Sequence, residues 1–143
     1  MIFARFVARL VGCLVVAALL TACSGAAAGP RPDDGGVRTV VIDVRYSKFS
    51  VGDLRVRPGD TVRFVIRNHD PIPHELILGD MVVQDHHENG TEAHHGDRPG
   101  EVSVAAGATA ETRYTFITAG TLFFGCHLPG HWAYGMQGMI TVR

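Results

Sequence analysis

The chain has 143 residues, of which 46% are hydrophobic and 19% charged, and its formal net charge is −1 with neutral histidines. This length suits one domain with a real hydrophobic core, and the composition excludes a disordered or fibrous protein. The near-zero charge excludes the broad basic surface that nucleic-acid binding usually needs, so no nucleic-acid partner is expected.

The first 22 residues have the pattern of a secretory signal peptide. Arg5 and Arg9 precede an apolar run at 10–20 that is too short for a comfortable membrane span, and small residues follow. An uncleaved anchor helix is the alternative. The sequence LTAC at 20–23 resembles the lipobox of bacterial lipoproteins, which implies cleavage before Cys23 and a lipid on its sulfur. The protein is then expected to be exported and held at the bacterial cell membrane by a lipid anchor.

Residues 23–36 are small and rich in glycine and proline, which predicts a flexible tether between the lipid and the domain. Of the three cysteines, Cys13 would leave with the signal peptide and Cys23 would carry the lipid, so only Cys126 remains in the domain. A disulfide is thereby excluded. A lone thiol in an exported domain is expected to be buried, reactive or metal-bound.

Residues 37–143 are predicted to form one all-β domain. Segments with alternating or β-branched side chains, separated mostly by glycine or proline, predict eight strands at 39–45, 53–57, 61–67, 75–78, 101–104, 109–116, 121–125 and 139–142. This number of short strands indicates a Greek-key β-sandwich or barrel. The predicted core consists of Val62, Phe64, Ile66, Phe116, Phe123, Met139 and Ile140.

The connection at 79–100 interrupts the succession of short strands and contains a possible helical turn within 81–92. Long connections in compact domains are usually functional or disordered. Four of the chain's eight histidines lie here, namely His86, His87, His94 and His95. With acidic residues nearby they could form a secondary copper or zinc site. Because they have no fixed ligand spacing, a polar loop without metal is the alternative.

The segment 125–140, GCHLPGHWAYGMQGMI, concentrates side chains that bind soft metals. Cys126, His131 and Met136 follow the spacing C-x4-H-x4-M in a loop between two predicted strands. A second imidazole is expected from His74, which directly precedes an apolar strand; His69, in a polar turn, is the alternative. One thiolate, two imidazoles and a weak axial thioether form the donor set of blue-copper sites.

His74 together with Cys126-x4-His131-x4-Met136 resembles the cupredoxin (type 1 blue-copper) family, over about residues 39–143. The resemblance implies one copper ion with equatorial ligands His74, Cys126 and His131 and axial ligand Met136. It also implies an electron carrier that cycles between Cu(I) and Cu(II), with the surface near His131 facing a redox partner protein. The side chains expected to form that docking patch are Pro129, Trp132 and Tyr134. For Trp132 and Tyr134, packing over the copper loop is the alternative.

Two residues depart from the family pattern. Many cupredoxins have Asn or Ser after the first histidine ligand, where this chain has Glu75. His127 directly follows Cys126 and is expected to point away from it, toward the surrounding shell or the surface. The His-rich insert resembles that of extended bacterial cupredoxin-like lipoproteins.

Two other functions compete with electron transfer. An exported copper carrier or chaperone, which would buffer copper or deliver it to a copper-accepting protein, is suggested by the His-rich insert and the lipid anchor. An enzyme such as a nitrite reductase or oxidase needs a second copper centre, for which a single small domain has no room. The sequence therefore predicts a protein that is not an enzyme.

Overall fold

The computed structural model describes residues 36–90 and 98–143. The predicted signal peptide, the lipidation site Cys23, the tether up to residue 35, His94 and His95 lie outside the described residues. None of the helical structure in the described ranges is long and apolar enough to span a bilayer.

The described chain forms eight strands and one helix, in the order β1 (Val37–Val44), β2 (Asp53–Val56), β3 (Thr61–Asn68), β4 (His74–Gly79), α1 (Met81–Glu88), β5 (Glu101–Val104), β6 (Thr109–Thr115), β7 (Gly120–Gly125) and β8 (Gln137–Val142). One sheet has the order β1-β3-β6 and the other β2-β8-β7-β4-β5. Strand pairs β1/β3 and β2/β8 are parallel, and the rest are antiparallel. The predicted all-β sandwich of about eight strands is confirmed.

The strands form where side chains alternate between a buried and a solvated face. In β3, Val62, Phe64 and Ile66 are fully buried, whereas Arg67 is exposed on the opposite face. Side chains of successive strand residues point to opposite faces, so this pattern places one face of the sheet in the core. Phe124 of β7 belongs to the same core, so the two sheets close on one another.

Two predicted core residues are placed differently. Met139 is 40% exposed and Phe123 is only partly buried, so their assignment to the core is wrong. The neighbouring residues Ile140 and Phe124 face the core instead. Alternation along β7 and β8 therefore turns Met139 and Phe123 to the other side of the sheet.

The insert at 79–100 begins with an ordered helix. The side chain of Asp80 caps α1 by accepting a hydrogen bond of 3.0 Å from the backbone N–H of Val83. A Cβ atom on Gly79 would lie 2.5 Å from Cβ of Val83, so only glycine allows α1 to pack this closely on the end of β4.

Strands β4 and β7 are antiparallel neighbours, and Ile77 pairs with Gly125. The first residue of β4, His74, and the residue after β7, Cys126, therefore lie at the same edge of the five-stranded sheet. This topology determines where the candidate metal ligands meet.

Candidate metal centre

Three of the predicted metal-binding side chains converge at this edge of the sheet. The donor atoms of His74, Cys126 and His131 all lie within 4.8 Å of one another. His74 and Cys126 are buried, and His131 is partly exposed. Throughout the described ranges, this is the one group of three or more His, Cys, Asp or Glu side chains with such geometry.

The ligand loop, residues 126–136, is closed by its own backbone. Cys126 N–H donates to the Met136 carbonyl at 3.1 Å, and Met136 N–H donates to the His131 carbonyl at 3.0 Å. Gly130 and Gly135 adopt φ angles of 83° and 84°, which L-residues with side chains rarely tolerate. These bonds bring Met136, which is fully buried, back beside Cys126.

The imidazole of His74 is oriented by a buried carboxylate. Its Nε2 atom donates to Asp70 Oδ2 at 3.0 Å, which leaves Nδ1 buried and without a hydrogen-bond partner in the described structure. Burial lowers the pKa of His74, and the nearby His131 adds to this effect against the Asp70 hydrogen bond. A neutral imidazole with a free lone pair on Nδ1 is the form that binds metals.

Asp70 also organises the neighbouring turn. Burial alone would raise the pKa of Asp70, but hydrogen bonds from the backbone N–H groups of Ser47 and Tyr46, together with His74, hold it below its ordinary value. Tyr46 and Ser47 both have positive φ angles, of 54° and 53°. The carboxylate therefore connects a strained turn to a candidate ligand.

The thiol of Cys126 is held in its protonated form when no metal is present. Burial raises its pKa to about 11, against the stabilising backbone N–H groups of Leu128 and Glu75. A metal that binds the sulfur must displace this proton. The two N–H groups then face the thiolate.

Glu75 occupies the position where many cupredoxins have Asn or Ser. Its side chain is 97% buried, and Oε1 accepts a hydrogen bond of 2.7 Å from the backbone N–H of His127. The link between the His74 strand and the ligand loop is therefore made here by a carboxylate.

His127 points away from Cys126, as expected, but the expectation that it could lie at the surface is wrong. Its side chain is 2% exposed, because its ring lies between α1 and the ligand loop. The ring stacks on Trp132 at a centroid distance of 4.8 Å. No signal in the sequence indicated these partners, since both contacts from α1 come from residues about 40 positions earlier.

The remaining predicted site residues lie outside this cluster. The alternative ligand His69 pairs with Asp43 at 2.6 Å on the surface. Pro129 is exposed and Tyr134 is 80% exposed, whereas Trp132 is partly buried against His127.

The described half of the His-rich insert does not gather its histidines into one site. His86 is exposed, and His87 turns inward, where its Nδ1 atom donates to the Val83 carbonyl at 2.8 Å. Neither belongs to a group of metal-binding side chains in the described ranges.

The donor set fits copper. A buried imidazole nitrogen without a partner, a thiol next to a second imidazole at 3.2 Å, and a buried methionine are the groups that a type 1 copper ion uses. When bound, copper would supply one-electron chemistry at this centre.

Comparison with known proteins agrees with this donor set. Residues 38–143 match the family described as copper binding proteins of the plastocyanin/azurin family. A copper-resistant cuproprotein CopI of Rubrivivax gelatinosus is 39% identical over 122 residues, covering 79% of this chain and 72% of that protein. A CopI of Pseudomonas aeruginosa is 33% identical over 138 residues, covering 74% of this chain and 76% of that protein.

Among solved structures, auracyanin A, a "blue" copper protein from Chloroflexus aurantiacus, aligns with a TM-score of 0.62 at 25% identity. The alignment covers 76% of this chain and all of that one. On the match to the family, the close relatives and the geometry of the site, this chain belongs to the plastocyanin/azurin family of copper-binding proteins.

Proposed function

We propose that this protein transfers single electrons through one type 1 copper ion, with His74, Cys126 and His131 as equatorial ligands and Met136 as axial ligand. The carrying observation is that the three equatorial donors lie within 4.8 Å of one another, at one end of the five-stranded sheet.

This arrangement of donors favours electron transfer for a physical reason. Thiolate and imidazole are acceptable ligands for both Cu(I) and Cu(II), and a weak thioether forces neither geometry. Hydrogen bonds within the ligand loop and from His74 to Asp70 hold the donors still. Little therefore rearranges when the electron arrives or leaves, and small rearrangement makes electron exchange fast.

Optical spectroscopy of the copper-loaded protein tests the proposal. We expect intense visible absorption from thiolate-to-Cu(II) charge transfer, which a reductant bleaches and an oxidant restores while copper stays bound. Cys126→Ser should abolish this absorption. A colourless Cu(II) protein, or colour that survives Cys126→Ser, would contradict the proposed centre.

A copper carrier that buffers or delivers copper is the second candidate. It is favoured by the names of the two relatives, which are copper-resistant cuproproteins. A carrier should give up Cu(I) to a competing chelator within minutes, whereas an electron carrier should keep it through repeated redox cycles. Measuring both rates on the same preparation separates the two functions.

We further propose that the protein works outside the cytoplasm, anchored to the cell membrane by a lipid on Cys23. The exposed Pro129 and Tyr134, together with Trp132, lie on the ligand loop with His131 and would meet the redox partner or copper acceptor. Secondary metal binding by His86, His87, His94 and His95 stays a prediction.

A further inference from the structure

Helix α1 directs a polar side chain inward, toward the two strands that lead to the copper ligands. Gln84 is 1% exposed, although it is a polar residue. Its Nε2 atom lies 3.3 Å from the Ile77 carbonyl of β4 and 3.2 Å from the Phe123 carbonyl of β7. One side chain thus joins the helix to both ligand-bearing strands.

The same helix holds the ring of His127 at both nitrogens. Nε2 of His127 lies 2.8 Å from Gln84 Oε1, and Nδ1 lies 2.8 Å from Glu88 Oε2. Trp132 covers one face of the His127 ring, and the two rings stack at an interplanar angle of 19°. The imidazole therefore has no room to rotate.

The backbone of His127 is fixed as well, through its N–H bond to Glu75. Cys126 directly precedes His127, so fixing the backbone of His127 also restricts where the Cα atom and the sulfur of Cys126 can lie. Gly125, the residue before Cys126, packs against the ring of Trp132, and a Cβ atom on Gly125 would lie 2.3 Å from that ring. The sulfur is therefore placed between two tightly packed residues.

We propose that α1 supports the copper centre: Gln84 and Glu88 are positioning residues that, by holding His127, set the place of the Cys126 sulfur relative to His74 and His131. This inference rests on the proposed copper function. It assigns a role to the first half of the His-rich insert that does not require any of its histidines to bind metal.

The competing explanation is that α1 only stabilises the fold. Three substitutions separate the two. Glu88→Ala removes one contact from a side chain that is 35% exposed, so it should fold normally. Gln84→Met keeps the volume of a buried side chain but removes its polar contacts. Glu88→Gln keeps an oxygen near His127 Nδ1 and serves as the conservative rescue.

Val82→Ala is the matched control, because it shortens a side chain of the same helix that is 77% exposed. Each variant is compared with the wild-type chain in three measurements: the Cu(II) absorption spectrum, the Cu(II) affinity, and the rate at which a thiol reagent modifies Cys126 in the copper-free protein. Far-UV circular dichroism and thermal unfolding record the fold separately.

Loss of groups that orient metal ligands typically weakens metal binding about 10- to 100-fold. We expect Glu88→Ala and Gln84→Met to lower Cu(II) affinity in that range, shift the charge-transfer band and speed thiol modification at least several-fold. Glu88→Gln should recover most of the loss, and Val82→Ala should stay within about twofold of wild type.

The inference is overturned if folded Glu88→Ala keeps the wild-type spectrum, affinity and thiol reactivity, whatever happens to Gln84→Met. It is also overturned if the variants change only the thermal midpoint. Failure of the proposed function looks different, since the wild-type protein itself would then show no charge-transfer band.

Discussion

At the scale of single residues, the centre depends on which nitrogen of an imidazole is left free. The Asp70 carboxylate accepts a hydrogen bond from Nε2–H of His74, so the lone pair lies on Nδ1, buried and without a partner in the described structure. His69 has a carboxylate neighbour too, but it lies on the surface beside Asp43. Burial and the location of the partner, and not the residue type, separate the two histidines.

This difference predicts unequal effects of two similar substitutions. His74→Ala should abolish the charge-transfer spectrum of the Cu(II) protein, because one equatorial donor is lost. His69→Ala is the matched control and should leave the spectrum unchanged, with little effect on stability, because its partner Asp43 lies at the surface. The reverse result would assign the ligand to His69. Absorption and paramagnetic-resonance spectra of both variants provide the measurement.

A second prediction at this scale concerns pH and the copper-free protein. Burial raises the pKa of the Cys126 thiol from 9.0 to about 11, so the folded state holds its proton more tightly than the unfolded state. The resulting stability is fully present below pH 9 and is lost as the pH rises through about 11. At about 1.4 kcal/mol per unit, the upper limit of the loss is about 3 kcal/mol.

Chemical denaturation of copper-free wild type and Cys126→Ser between pH 8 and pH 11 measures this loss. Serine does not ionise in this range, so the difference between the curves isolates the thiol from lysine and tyrosine titrations common to both. Parallel curves would show that the thiolate is not disfavoured by the fold.

At the scale of elements, strands were more predictable than contacts. Alternation in segments such as β3 marks the buried face directly, and the predicted strand bounds differ from the observed ones by at most two residues. The ligand loop was predictable because its donors follow a fixed spacing within one short segment. The ordered helix α1 was foreseen only as a possible turn, because its buried side is marked by Gln84 rather than by an apolar stripe.

The roles of Gln84 and Glu88 were not predictable, because their hydrogen bonds to His127 depend on how the helix and the ligand loop come together in space. The role of Asp70 was not predictable either, because its bond to His74 depends on the shape of the irregular connection between β3 and β4. Sequence separation between Gln84 and His127 is 43 residues, and no local pattern reports such a contact. The sequence likewise does not show which neighbour a glycine such as Gly125 approaches closely.

Gly125 gives a prediction at the element scale, since it ends β7 beneath Trp132. Gly125→Ala would put a methyl group into the indole ring, and overpacking of this kind typically costs about 1–3 kcal/mol of unfolding free energy. Gly52→Ala is the control, because a Cβ atom there has no neighbour within 4 Å and its backbone needs no left-handed conformation. Thermal unfolding of both variants should show a lowered midpoint for Gly125→Ala alone.

At the scale of the whole molecule, the proposed copper ligands bring distant parts of the chain together at one end of the five-stranded sheet. His74 opens β4, and the ligand loop joins β7 to β8, so a bound ion connects three strands of the five-stranded sheet. An ion that binds only the folded chain stabilises it by mass action, by about 4 kcal/mol at a thousandfold excess over its dissociation constant. Copper therefore should raise the unfolding midpoint of the whole domain.

The location of the molecule gives the last prediction. If a lipid on Cys23 anchors the exported chain, Cys23→Ala should move it from the membrane fraction to the soluble extracytoplasmic fraction, because a single folded domain without the lipid has no other proposed attachment. Cys13→Ala is the matched control: this cysteine would leave with the signal peptide, so its loss should not change the fractionation. Cell fractionation and the intact mass of the purified chain, which reports the added lipid, measure the outcome. Membrane retention of Cys23→Ala, or a mass without lipid in the wild type, would contradict the anchor and leave the copper domain's chemistry unaffected.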